Sequence, residues 1–85
     1  MMLKVLLTRQ ASKHLAKIST KDQARLKRAL EEMKIDPLLG DVVKLVGYDA
    51  YRRRVGSYRI IFSLEESTVV ILVLDILRRN ENTYK

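Results

Sequence analysis

The chain has 85 residues, room for a single domain, and a chain of this length buries only about 60–65% of the surface it exposes when unfolded. It has no cysteine and one histidine, His14, which excludes a disulfide framework, a thiolate metal site and a His-rich metal cluster and points to no bound cofactor. Seventeen Lys and Arg against ten Asp and Glu leave a net charge of +7, an excess that attracts polyanions, either nucleic acid or an acidic partner protein.

The N-terminal run Met1-Met2-Leu3-Lys4-Val5-Leu6-Leu7-Thr8 is followed at once by Arg9 and has no small-residue cleavage pattern, so it does not read as a signal peptide. Val69–Leu74, the longest apolar stretch, is far shorter than the roughly 20 residues a membrane span requires. A cytoplasmic protein with no membrane attachment is expected.

Leu3–Leu7 reads as a short apolar strand. Thr8 is placed to cap a helix whose buried face is Ala11, Leu15 and Ile18, at i, i+4 and i+7. Ser19-Thr20 offers a second cap, and Gln23, three residues after Thr20, completes a capping-box pattern. Leu26, Ala29, Leu30 and Met33 mark the buried face of the second helix, and Lys21, Arg25, Lys27 and Arg28 its basic side. That run reads either as a weak RNA-binding surface or as an ordinary solvated face. Asp36-Pro37 ends the helix, because the residue before proline avoids helical geometry. Leu38–Asp49 reads as a connection. Strands follow at Tyr51–Val55, Tyr58–Leu64 and Thr68–Ile76, with a turn at 65–67. The order β-α-α-β-β-β predicts an α+β, two-layer domain. In it a mostly antiparallel sheet carries an N-terminal αα-hairpin on one face, with the strand order open.

Gly56-Ser57 is a two-residue hairpin signal of type I′ or II′. A turn there sets Val55 against Tyr58, Arg54 against Arg59 and Arg52 against Ile61. Tyr51, Arg53, Val55, Tyr58, Ile60, Phe62 and Leu64 then share the core face, and Arg52, Arg54 and Arg59 share the other with Ile61 and Ser63. Like charges directly opposite cost roughly 0.2–1 kcal/mol per pair. An anion offsets that cost, and the planar arginine fork suits phosphate; a solvated basic face is the alternative. Arg53 is the misfit on the core face and requires either snorkelling or a bulge. Val69–Leu74 is apolar on both faces, so the side away from the helices needs a cover, from the tail 77–85 or from a partner. In one register of this strand, Asp75 pairs with Arg59. His14, on the first helix, reads as structural or solvent-facing, with no carboxylate partner evident.

The block Tyr51-Arg52-Arg53-Arg54-Val55-Gly56-Ser57-Tyr58-Arg59-Ile60-Ile61-Phe62, preceded by Lys44-Leu45 and Gly47 and followed by Arg79 and Tyr84, resembles the RelE/ParE superfamily of toxins from prokaryotic toxin–antitoxin pairs. The resemblance spans residues 1–85 as one RelE-like domain. For the RelE-like branch it implies a metal-independent endoribonuclease that cleaves mRNA in the ribosomal A site. The 2′-hydroxyl attacks the adjacent phosphodiester, leaving a 2′,3′-cyclic phosphate and a 5′-hydroxyl. It assigns Arg59 and Arg79 to the scissile phosphate, Arg54 to its orientation or to the leaving 5′-oxygen, and Arg52 to neighbouring backbone. Tyr84 would stack on a base or hold the 2′-hydroxyl. The implied partners are a cognate antitoxin, in a hetero-oligomer, and the ribosome with its mRNA and 16S rRNA. Two other functions share these features: a ParE-like inhibitor of DNA gyrase and a non-catalytic RNA- or ribosome-binding domain.

Overall fold

Two hydroxyl side chains set where the helices begin. In the computed structural model, which describes residues 2–65 and 69–78, helix α1 spans Arg9–Ala16 and helix α2 Thr20–Ile35. Thr8 Oγ1 accepts from the Ala11 amide (3.1 Å) and donates to the Leu74 carbonyl (2.8 Å), so one group caps α1 and ties it to the last strand. Ser19 caps α2 by accepting from the Asp22 amide. The Thr20–Gln23 capping box does not form. Gln23 Nε2 turns instead to the carbonyls of Leu15 (3.0 Å) and Ile18 (2.9 Å), where α1 runs out. Helix C-termini leave such carbonyls without intrahelical donors, and the short link brings them within reach of Gln23. Helix α2 stops at Ile35, with Asp36 extended before Pro37.

The strands are β1 (Lys4–Leu7), β2 (Val42–Lys44), β3 (Tyr51–Val55), β4 (Tyr58–Glu65) and β5 (Val70–Arg78). They form one sheet in the order β1-β5-β4-β3-β2, with β1 parallel to β5 and every other pair antiparallel. The architecture is α+β, two helices on one face of a five-stranded mixed sheet. Strand β2 corrects the reading of 38–49 as a plain connection. Three residues carry too little alternation to signal a strand, and the pairing Val42↔Arg53 forms because the edge of β3 offers free backbone groups. Strand β5 runs past the expected Ile76 to Arg78; the turn at 65–67 lies largely outside the described residues.

The core lies between helices and sheet. Ala11, Leu26, Ala29, Leu30 and Met33 meet Tyr58, Ile60, Phe62, Ile71, Val73 and Ile76, all buried. The helical stripes predicted from spacing are therefore the faces that pack. Burying each large aliphatic or aromatic side chain contributes about 1.5–3 kcal/mol. A second, smaller cluster covers the opposite face, where Leu45 and Ala50 fold over Ile61 and Leu77 with Leu74 at their margin. Part of the cover expected from the tail or a partner thus comes from the 45–50 segment. Leu6, paired with Leu72 at the other end of that face, stays 48% exposed.

Candidate nucleic-acid site

Gly56 builds the site. Its φ of +56° places it in the left-handed region, and Ser57 does not share it, which matches a type II′ turn. The register that follows is Val55↔Tyr58, Arg54↔Arg59, Arg53↔Ile60 and Arg52↔Ile61. By the alternation of the pleat, Arg52, Arg54 and Arg59 project from the face away from the helices, beside Ile61 of the smaller cluster. The structure brings together these three sequence-predicted residues. Arg79 and Tyr84 lie outside the described residues.

Asp41, which the sequence does not single out, sits among them. Its carboxylate is 3.4 Å from Arg52 Nη2 and 3.8 Å from Arg54 Nε, and its carbonyl accepts from the Arg54 amide (3.0 Å). Pairing Val42 with Arg53 places the preceding Asp41 opposite Arg54, so the missed strand is also the reason for the missed residue. One carboxylate serves two guanidinium groups, and Arg52 Nε remains buried with no hydrogen-bond partner among the described residues. An unmet buried donor costs about as much as a lost hydrogen bond. Arg52 therefore keeps donor capacity that Asp41 does not use.

Arg53 projects to the helix side, as its parity requires, and is resolved by neither a bulge nor snorkelling. The ladder is regular there, and Nη2 donates to Glu32 of α2 at 2.6 Å. The guanidinium lies beside Gly40, 3.7 Å from where a Cβ would sit, an ordinary van der Waals distance. Of the basic α2 residues, Arg25 reaches across the turn to Gly56, and Arg25 and Arg28 line a cleft of about 200 Å³ with Glu32, Arg53 and Arg54. Lys27 lies on the other flank of α2, near Ser12 and Leu15, and does not join them. Lys21 is exposed.

Among the described residues the sheet has one irregularity, a bulge. Ile61 pairs with Asp75 and Phe62 with Val73, leaving Leu74 as the extra residue of β5. Ile71, Val73 and Ile76 face the helices, and Asp75 meets α1: its carboxylate accepts from Gln10 Nε2 (2.5 Å) and the Ile76 amide (2.8 Å) and lies 2.6 Å from His14 Nδ1. A carboxylate–histidine pair is therefore present, contrary to expectation. Its members are 61 positions apart, and only the bulge and the packing of α1 unite them.

A family model described as "ParE toxin of type II toxin-antitoxin system, parDE" matches residues 5–83. Among solved structures, the chain is similar to archaeal RelE from the RelE–RelB complex of Pyrococcus horikoshii OT3. Identity there is 29%, coverage 95% of this chain and 99% of that chain, and the TM-score 0.84. It is also similar to the RelB–RelE complex of Methanococcus jannaschii, at 28% identity over 87% of this chain and 89% of that chain, TM-score 0.72. The intact E. coli RelBE complex shares the fold, at 23% identity over 93% and 99%, TM-score 0.79. No curated protein gives a significant match. No helix among the described residues is long and apolar enough to cross a membrane. A match along nearly the whole chain and a shared sheet with its helical layer lead to one assignment: the chain belongs to the RelE/ParE superfamily of type II toxin–antitoxin toxins.

Proposed function

We propose that the chain is a ribosome-dependent mRNA endoribonuclease that inhibits translation and is held inactive by a cognate antitoxin. The observation that carries this reading is the placement of Arg52, Arg54 and Arg59 on one helix-free sheet face, with Asp41 bridging two of them. In the proposed reaction the 2′-oxygen bonds to phosphorus as the P–O5′ bond breaks, and the 2′-hydroxyl proton passes to solvent or a ribosomal group while the 5′-oxygen takes one up. Guanidinium, which stays charged throughout the working pH range, does not exchange these protons. Its part is to hold the phosphate and neutralise charge growing on its oxygens, where preorganised donors act most strongly. Arg59 and Arg79 take that role, with Arg54 orienting the group, Arg52 gripping flanking backbone and Tyr84 stacking on a base. Arg25 and Arg28, continuous with Arg54 through the adjoining cleft, extend the cationic surface towards rRNA. The RelE structures solved with RelB support an antitoxin partner. Such a partner would set acidic residues against the arginines and an apolar element over Leu6 and Leu72.

The test incubates purified protein with translating ribosomes and maps message ends by primer extension. The expected result is A-site cleavage leaving a 2′,3′-cyclic phosphate, abolished in Arg59→Ala. The ParE family match favours a second reading, inhibition of DNA gyrase. Intact message together with blocked supercoiling establishes that reading, and ribosome binding with neither effect indicates a non-catalytic RNA-binding domain.

A further inference from the structure

On the helix side of the sheet, away from the arginine face, a cleft of about 330 Å³ opens between the α1–α2 link and the ends of β4 and β5. His14, Lys17 and Ser19 line it from the helical side, Tyr58 and Arg78 from the sheet. Behind His14 stands Asp75, 1% exposed, whose carboxylate also takes the Gln10 and Ile76 donors. A buried carboxylate at 2.6 Å from Nδ1 orients the ring, with Nδ1 towards Asp75 and the Nε2 edge left for the cleft. The His14 side chain is 36% exposed, so that edge is accessible. Arg78 lies over the Tyr58 ring (5.7 Å to its centroid), which holds the guanidinium at the rim. Asp22, the acidic group facing the cleft, accepts from the Tyr58 hydroxyl at 2.9 Å, and its backbone amide is bound by Ser19. The walls therefore present Lys17 and Arg78 against Asp22, with His14 adding a charge when protonated. Ile18 and Ile76 supply an apolar floor.

We propose that this cleft is a second anion site, which binds a phosphate dianion, free or as the monoester of a mononucleotide, through the Nε2–H of the His14 imidazolium, Lys17, Ser19 and Arg78. Its volume suits a ligand of mononucleotide size. Cationic donors converging from both layers suit the several oxygens of a terminal phosphate better than a single carboxylate. The proposal is independent of message cleavage, because the cleft and the arginine face lie on opposite sides of the sheet.

The full-length protein, labelled with ¹⁵N, is titrated with inorganic phosphate, AMP and adenosine. Saturable shifts are expected at the amides of Lys17, Ser19, Tyr58 and Arg78 with phosphate and with AMP. Tighter binding of AMP identifies a nucleotide ligand, and equal affinity identifies phosphate itself. His14→Gln and Arg78→Gln should each weaken binding about tenfold, the loss of one charge-assisted hydrogen bond. Because His14→Gln disturbs the contact with Asp75, Arg78→Gln serves as the variant free of that perturbation, and circular dichroism checks both folds. The proposal is overturned if those amides show no saturable shift with either phosphate ligand, if adenosine binds as well as AMP, or if affinity is unchanged in both variants.

Discussion

Replacing Glu32 with alanine should cost about 2 kcal/mol of stability, whereas Arg53→Met should be close to neutral. Arg53 is 11% exposed at its side chain and Glu32 is 53% exposed, so the pair lies between two known regimes. Surface pairs contribute about 0–1 kcal/mol, and removing one partner of a buried pair costs about 3–5. Arg53 Nη1 already lacks a hydrogen-bond partner among the described residues, so losing Glu32 strips the buried guanidinium of the acceptor at Nη2 as well. The half-exposed carboxylate itself loses little, which sets the middle value of about 2 kcal/mol. In a domain of this size that is a fall of roughly 8–16 °C in Tm. Methionine at 53 keeps an unbranched stem and removes the charge, at a cost within about 1 kcal/mol. Urea denaturation of both single variants and the double supplies the cycle. The double should match Arg53→Met alone, giving a coupling of about 2 kcal/mol. Two single losses that simply add would refute the reasoning, since the pair would then be incidental to the packing of each side chain.

Asp41→Asn removes the carboxylate shared by Arg52 and Arg54 and should tighten binding of single-stranded RNA; the slope of log K against log salt should steepen by about 0.7 for each further phosphate that the freed guanidinium groups neutralise, read by fluorescence anisotropy. Gly56→Ala forces a side chain into the left-handed region at φ +56° and towards Arg25 Nη2, 2.7 Å from the new Cβ, so chemical denaturation should show a loss of about 1–2 kcal/mol. Gln23→Ala leaves the Leu15 and Ile18 carbonyls without their donor and should cost about 1 kcal/mol, with faster amide exchange at the end of α1 as the local signature.

What the sequence alone determined is whatever depends on near neighbours. The apolar spacing from Leu26 to Met33 names the packed face of α2, because a helix repeats every 3.6 residues whatever surrounds it. Gly56-Ser57 specifies the pairing of Arg54 with Arg59, because a two-residue turn leaves the pleat only one register. Parity then sends Arg53 inward. Its destination, Glu32, depends on how α2 lies across the sheet, and no local pattern encodes that. Strand β2 forms only where a free edge receives it, and Asp41 arrives among the arginines with it. Gln23 caps the preceding helix rather than its own because the link folds the α1 carbonyls towards it. Asp75 finds His14 through a bulge that a strand read by alternation does not reveal. Contacts between distant residues follow from packing the layers, where buried polar groups must find partners among whatever the tertiary fold brings near.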